Sequence, residues 1–342
     1  MDYSTEIPFE FHGDGKDYFR IWVVNLFLSV ISLGIYSAWA KVRNNRYLYS
    51  HLHLDGSCFE YIANPKQILI GRVIAVVLLS ISVIGSELFP LVGLWLLLPT
   101  ALILPWMILK SLQFRARNSV YRNIRFGFHA NYFEALLVIV VYPILAVVSI
   151  GLLSGFAIQR FYNFVVGHSS YGNTQFEFQS SIGEFYGFVF SVIFATLGMA
   201  ILIGLIAAGA QFGLMSLDVP KQYFGLVIGA MGMVVYIWQF AYIKVKLTNL
   251  MYSGLTIPAW YTFTTSLKTW DLFKIYLVNT ILILLSLGLY IPFARIKVMQ
   301  YRVSSLRFVT TQSLDEFTFK NDPNVSAIGQ EVGEMFDFGI SL

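Results

Sequence analysis

Few residues in this chain have types and spacings that could do chemistry. Asn25 and Asn279 each lie about two turns inside an apolar stretch. A primary amide there must find a partner, so each should face another helix, or line a solute path with Tyr36 and Tyr290. His51 and His53 are two apart and would share one face of a strand. A metal pair would suit that spacing, but no third ligand is evident, so a solvated strand is the favoured reading. His12, His129 and His168 fall in matching positions and read as structural. No Ser-His-Asp order, glycine-rich phosphate loop or helical His-Glu-x-x-His occurs, so no enzyme, cofactor or metal is expected. Arg115, Arg117, Arg122 and Arg125 could hold anionic lipid headgroups, or act as ordinary anchors at the membrane end. Glu134 and Glu184 stand at helix starts, and no carboxylate falls in mid-segment, which weakens a proton-driven pump.

The elements that must position these residues are apolar. Hydrophobic residues make up 57% of the chain and charged residues 12%, where a soluble domain runs nearer one quarter charged. The 30 Phe and 20 Tyr suit aromatic ends at a membrane–water boundary. A net charge of +4 reads as membrane-end lysines and arginines, and nucleic acid is not an expected partner. The single Cys58 excludes an intrachain disulfide. The first residues are polar and carry Asp2, Glu6 and Asp14, unlike a cleaved signal peptide. Seven apolar segments follow, at 18–40, 68–88, 91–112, 132–158, 185–214, 223–243 and 272–294. Each is near the ~20 residues a helix needs to cross the hydrocarbon. The second and third, and the fifth and sixth, read as tight hairpins broken at Ser86–Pro90 and Ser216–Lys221.

Short period-two segments lie between them: Phe9-Glu-Phe11, Phe59-Glu-Tyr61, Phe126-Gly-Phe128, Phe176-Glu-Phe178 and Phe317-Thr-Phe319. These predict strands outside the bilayer, paired as small sheets or hairpins, because strand edges cannot stay unpaired in lipid. The expected fold is therefore mainly α, a polytopic transmembrane bundle of about seven helices with short extramembrane β segments.

One motif recurs. Asp17-Tyr-Phe-Arg-Ile-Trp-Val-Val-Asn25 matches Asp271-Leu-Phe-Lys-Ile-Tyr-Leu-Val-Asn279, and Leu33-Gly-Ile-Tyr-Ser-Ala-Trp-Ala-Lys-Val-Arg43 matches Leu287-Gly-Leu-Tyr-Ile-Pro-Phe-Ala-Arg-Ile-Lys297. A fainter third copy runs from Gly151 to Arg160. Asp17 and Asp271 should cap helix starts. Gly34 and Gly288 should allow a close crossing or a local break. Tyr36, Trp39, Tyr290 and Phe293 fit an aromatic belt, and Lys41, Arg43, Arg160, Arg295 and Lys297, with Arg115 and Arg117, can reach lipid headgroups. The chain divides into a first repeat at 1–118, a second at 119–250, a half repeat at 251–320 and a mobile acidic tail at 321–342 with one short helix near 330–336.

Two topologies compete. If all seven segments cross, the repeats are inverted and the positive-inside rule puts the C-terminus in the cytoplasm. If the three lone helices turn back at Gly34, Gly151 and Gly288, 22 of the 23 basic residues gather on one face, with only Lys221 opposite. About six residues separate Gly34 from Lys41, too few to climb back through ~30 Å of hydrocarbon, and crossing is favoured on that ground.

Phe9-x-Phe-x-Gly13, Tyr18-Phe-x-Ile-Trp22 and the Leu33–Arg43 motif resemble the opening signature of the YjgN-like bacterial inner-membrane proteins. Arg115-Ala-Arg-Asn118, Tyr121-Arg-Asn123 and Phe126-Gly-Phe128 resemble that family's second signature, and the tail with Glu331-Val-Gly-Glu334 is similar too. The resemblance implies a multi-pass protein of the bacterial inner membrane and supplies no mechanism. Two functions are weighed. The first is a small-solute transporter or channel with its path between repeats. The second is a structural protein that binds lipid or a partner without transporting. Membrane lipids are the expected partners, with a second copy or an unidentified protein as alternatives.

Overall fold

The computed structural model describes residues 5–88, 90–215, 221–257 and 261–310. The expected tail helix, the strand at Phe317-Thr-Phe319 and the break at 216–220 lie outside these residues. Period two governs β1 (Thr5–Phe11), where Ile7, Phe9 and Phe11 share one face and Glu6 and Glu10 the other. The chain then enters a helical hairpin, α1 (Gly15–Ile31) and α2 (Ser37–Ser50), and returns as β2 (Leu52–Leu54), antiparallel to β1. A tight turn at Asp55-Gly56, both residues left-handed, leads to β3 (Ser57–Tyr61).

The same order continues along the chain. β3 leads through α3 (Pro65–Leu88) and α4 (Pro90–Arg117) to β4 (Ser119–Tyr121). β5 (Ile124–Phe128) leads into α5 (Tyr132–Leu136), a π-helical turn at Leu137–Val141, α6 (Tyr142–Val148), α7 (Ser154–Gly167) and β6 (Ser169–Tyr171). The π turn lies just before Pro143, whose missing N–H disturbs the α ladder there. β7 (Thr174–Gln175) and β8 (Glu177–Phe178) lead through α8 (Ile182–Met215) and α9 (Lys221–Gly254) to β9 (Leu255–Ile257). β10 (Tyr261–Thr265) leads through α10 (Thr269–Leu285) and α11 (Ile291–Ser304) to β11 (Leu306–Thr310).

All eleven strands join one antiparallel sheet in the order β7-β6-β5-β4-β3-β2-β1-β11-β10-β9-β8. Its two ends, β7 and β8, flank a single residue, Phe176, so the sheet closes almost completely into a barrel. Near-closure leaves only β7 and β8, two residues each, as edges, too short to invite strand addition. Because neighbours are antiparallel, all five helical hairpins leave from one end of the barrel and the tight strand turns sit at the other. One backbone bond closes the base of each hairpin: His12 N–H to His51 O (2.9 Å), Ile62 to Asn118 (3.0 Å), His129 to His168 (2.8 Å), Gln179 to Gly254 (2.8 Å) and Ser266 to Ser305 (2.9 Å).

This architecture corrects the expected seven-helix transmembrane bundle. Among the described residues two stretches are long and apolar enough to cross a membrane, Ile182–Gly209 and Gly225–Gly254. Each of the three lone helices is instead a helical hairpin: α1/α2, α5–α6/α7 and α10/α11. The apolar run 18–40 has the length of a span but turns back within it at Leu33-Gly34, and α2 runs on past Lys41 to Ser50. Nor do the strands form separate small sheets.

The turns of the short hairpins share one geometry. Ser32, Ser149 and Ser286 end the first helices. Leu33, Ile150 and Leu287 follow at φ near +50°, then Gly34, Gly151 and Gly288 at +89°, +85° and +93°. The glycine N–H reaches back to Ser29, Ala146 and Ile283 O at 2.7–2.8 Å, the six-to-one bond of a Schellman ending. The serine hydroxyls accept from the N–H of Tyr36, Leu153 and Tyr290. A left-handed Leu or β-branched Ile costs about 1–2 kcal/mol. Yet these residues are 94%, 95% and 95% exposed, so no packing against the protein compensates.

The helix starts also differ from expectation. Asp14, not Asp17, caps α1, accepting from Lys16 N–H (2.7 Å) and Asp17 N–H (3.3 Å). Asp17 instead pairs with Arg20, and Asp271 with Lys274. The Tyr47 hydroxyl donates to Asp14 O and accepts from Asp14 N–H, both at 2.9 Å. Tyr301 repeats this clamp on Lys268, 254 residues on. Asn131 caps α5 on Glu134 N–H, leaving the Glu134 carboxylate to His168 at 2.8 Å.

Candidate functional site: a basic vestibule above an aromatic barrel

Inward-facing strand residues leave a cavity of about 530 Å³ inside the barrel. Phe9, Leu54, Phe59, Tyr121, Phe126, Tyr171, Phe263 and Phe308 are among its walls, and Phe176 stands at the seam. The rings pack on one another: Phe59 stacks on Tyr121 with centroids 4.6 Å apart, and Phe263 meets Phe308 edge-on at 5.1 Å. Two of the hydroxyls here bond to the sheet. Tyr121 donates to Leu54 O (2.7 Å) and Tyr171 to Tyr121 O (2.9 Å). Burial pushes both phenols above the usual range, so they stay neutral. Arg122 at the wall is neutralised by Asp55 at 2.7 Å.

At the hairpin end of the barrel a second cavity, about 1,100 Å³, opens between α2, α4, α9, α10 and α11. Its walls include Lys41, Arg115, Arg295 and Arg302, with Asn44, Asn45 and Asn279, and no carboxylate among the described lining residues. The two cavities share Leu52, Tyr252, Met299 and Arg302, which form a neck between them. Arg295 donates to the Tyr18 hydroxyl at 2.8 Å, its guanidinium 5.7 Å from that ring's centre. Arg115 Nη1 and Asn279 Oδ1 are buried with no hydrogen-bond partner among the described residues. Asn279 is 4% exposed, and its amide donates only weakly to Ala294 O at 3.4 Å. A buried polar atom without a partner costs about 1–3 kcal/mol; Arg115 Nη1 is a donor and Asn279 Oδ1 an acceptor facing this cavity.

The sequence-selected residues divide accordingly. Lys41, Arg115, Arg295 and Asn279 meet at the vestibule. Asn25 does not reach it: its amide donates to Asn44 Oδ1 at 2.9 Å across its own hairpin, and Asn44 takes the wall position. Tyr36 and Tyr290 stay at the hairpin turns, stacked near Trp39 and Phe293. Gly34 and Gly288 make turns, not close crossings; a Cβ on Gly34 would meet nothing within 4 Å. Arg43 is exposed on α2. Arg117 sits in the last turn of α4, Arg160 lies over the Phe156 ring and Lys297 over Tyr290. His51 closes α2 with Nδ1 2.7 Å from Tyr47 O, while His53 packs edge-on against His12, so the two histidines do not form a pair.

Sequence reasoning missed Arg302, Asn44, Asn45 and Met299. A signal was present. Lys41, Asn45 and Leu48 fall at i, i+4 and i+7, one helix face, and so do Arg295, Met299 and Arg302, 254 residues later. These two faces form opposite parts of the vestibule wall.

A nearly closed barrel carrying helical hairpins with exposed apolar surfaces defines a membrane-associated fold. The chain belongs to the family described as "Bacterial protein of unknown function (DUF898)", whose model matches residues 6–335. It is 33% identical over 144 residues to "Inner membrane protein YjgN" of Escherichia coli O157:H7, and 32% identical over 142 residues to the protein of the same name from Salmonella typhimurium. The first alignment covers 42% of this chain and 36% of the relative, so the match spans about a third of the relatives' length. No solved structure matches. The exposed apolar helices and the relatives' names agree on a protein of the bacterial inner membrane.

Proposed function

We propose that the chain is an inner-membrane binding protein that holds the anionic group of an amphiphile in the vestibule, without catalysis. The observation that carries this is a wall of four basic side chains, from Lys41 to Arg302, with no carboxylate among its described residues. One unpartnered buried donor, Arg115 Nη1, adds to it. Such groups favour phosphate or carboxylate, and Arg presents a fork that matches either.

Membrane insertion in this reading is one-sided. From Lys41 back to the start of α2 at Ser37 is about 6 Å along the helix, and the Leu33–Tyr36 turn lies just beyond, well short of a ~30 Å hydrocarbon core. The three short hairpins then enter one leaflet, with Leu33, Ile150 and Leu287 deepest and the Lys41, Arg160 and Arg295 level at the headgroups. The long hairpin α8/α9 crosses. Positive-inside puts the barrel, and with it 21 of the 22 basic residues among those described, on the cytoplasmic side, Lys221 standing opposite. A transport path is the second reading. The Asn25–Asn44 bond and the aromatic barrel beneath the vestibule favour binding over conduction.

The test is thermal unfolding of the full chain in phosphatidylcholine nanodiscs, with added phosphatidylglycerol in one arm and inorganic phosphate in another. Stabilisation by phosphatidylglycerol that is lost in Arg115→Gln supports the reading. Equal stabilisation by phosphate alone reassigns the site to a free anion, and no difference between the two lipids overturns it.

A further inference from the structure

The barrel interior is a separate compartment with its own chemistry, and the vestibule reading does not use it. We infer that it takes the hydrocarbon chain of a single-chain anionic amphiphile, a long-chain carboxylate in class, whose charged end sits at Arg302. The inference rests on the vestibule as an anion site and adds the ligand's other half.

Four observations lead there. The lumen volume, about 530 Å³, lies in the ~300–1,000 Å³ range of small-molecule sites. Its walls are mostly aromatic and aliphatic, drawn from nine strands, and the Tyr121 and Tyr171 hydroxyls are taken by backbone carbonyls. Arg122 is already paired with Asp55. Arg302 alone belongs to both cavities with a full charge and no ion pair among the described residues. A molecule spanning the neck therefore meets one cation where apolar wall gives way to polar wall, the layout of an acyl chain ending in a carboxylate. A diacyl lipid fits less well, because the lumen offers one compartment and its neck is narrowed by Leu52, Tyr252 and Met299.

The experiment uses the full chain in phosphatidylcholine nanodiscs and hexadecanoate carrying a diazirine at its methyl end. After photolysis the label is mapped by peptide mass spectrometry. The expected result is labelling of barrel peptides containing Phe59, Phe263 or Phe308, at least tenfold above that from hexadecanol with the same diazirine. Arg302→Gln should cut barrel labelling about tenfold while Arg302→Lys retains most of it, with both variants matching the parent in far-ultraviolet circular dichroism. Ile257→Trp, which fills the lumen, should abolish barrel labelling. If Ile257→Trp does not fold, the hexadecanol comparison and the Arg302 pair still decide. Labelling confined to α8, α9 and the hairpin turns overturns the lumen assignment, and so does equal barrel labelling by the alcohol. Either failure leaves phosphatidylglycerol stabilisation intact if only this inference is wrong. Loss of both anion preferences marks the vestibule reading as the fault.

Discussion

Replacing Gly34 by alanine isolates the role of the hairpin turn. Gly34 has φ +89°, and a Cβ there would meet no atom within 4 Å. A steric cost is therefore absent, and only the backbone conformation is penalised. That penalty is about 1–2 kcal/mol for an L side chain in the left-handed region. Alanine also removes unfolded-chain freedom, a gain of about 0.4–1 kcal/mol. The net loss is about 1 kcal/mol, which shifts Tm by about 1–2 °C in a chain of 342 residues. Gly34→Asn should cost less, since asparagine tolerates this conformation. Gly151→Ala and Gly288→Ala should behave alike, at φ +85° and +93°, the latter meeting only Ile291 Cδ1 at an ordinary 3.6 Å. Gly155→Ala is the contrast. Its Cβ would press on the Tyr186 ring at 2.9 Å, so packing adds to the cost and asparagine gives no relief. The assay is thermal unfolding in nanodiscs followed by circular dichroism. A neutral Gly34→Ala, or an asparagine variant as damaged as the alanine one, refutes the turn assignment.

Further predictions concern the hairpin supports. Asn44→Leu strands the Asn25 amide and should cost about 1–3 kcal/mol, while Asn25→Leu combined with Asn44→Leu should recover most of it; a double-mutant cycle in thermal unfolding checks this. The Asp14 carboxyl is held below its usual value of 3.8, chiefly by the Lys16 N–H. A depressed acid stabilises the fold above its unfolded value and loses that contribution as pH falls through the folded one. Asp14→Ala should thus narrow the stability difference between pH 6 and pH 3, and an unchanged pH profile counts against the cap.

Membrane class was legible because composition alone carries it, and the recurring Leu33–Arg43 and Leu287–Lys297 motifs marked two of the three equivalent turns. The barrel was not legible, for reasons of scale. β7 and β8 are two residues each and β2, β4, β6 and β9 three, too short for a periodic signal. Their partners are also separated by whole helical hairpins, so no local pattern reports the pairing. The helix count failed because 18–40 is as apolar as a true span. Left-handed Leu33 before Gly34 bends it back, and leucine carries no sequence mark of that conformation. At the site, Lys41, Arg115, Arg295 and Asn279 were found by type. Arg302 was missed because its role comes from lying two turns beyond Arg295 on one face, at the neck of two cavities. Asn25 was misplaced because its partner, Asn44, lies on the other arm of a hairpin that had been read as one straight span.

The central claim is that all five hairpins enter from one face and the barrel closes on that face. Cysteines placed at Gly56, Asn123 and Asn173 in a Cys58→Ser background test it, with an impermeant maleimide applied to spheroplasts and then to inverted vesicles. The account predicts that all three are protected in spheroplasts and labelled in inverted vesicles, because β5 and β6 pair across positions 126–128 and 169–171. Labelling of position 173 from the opposite face to positions 56 and 123, as seven crossing helices require, would contradict it.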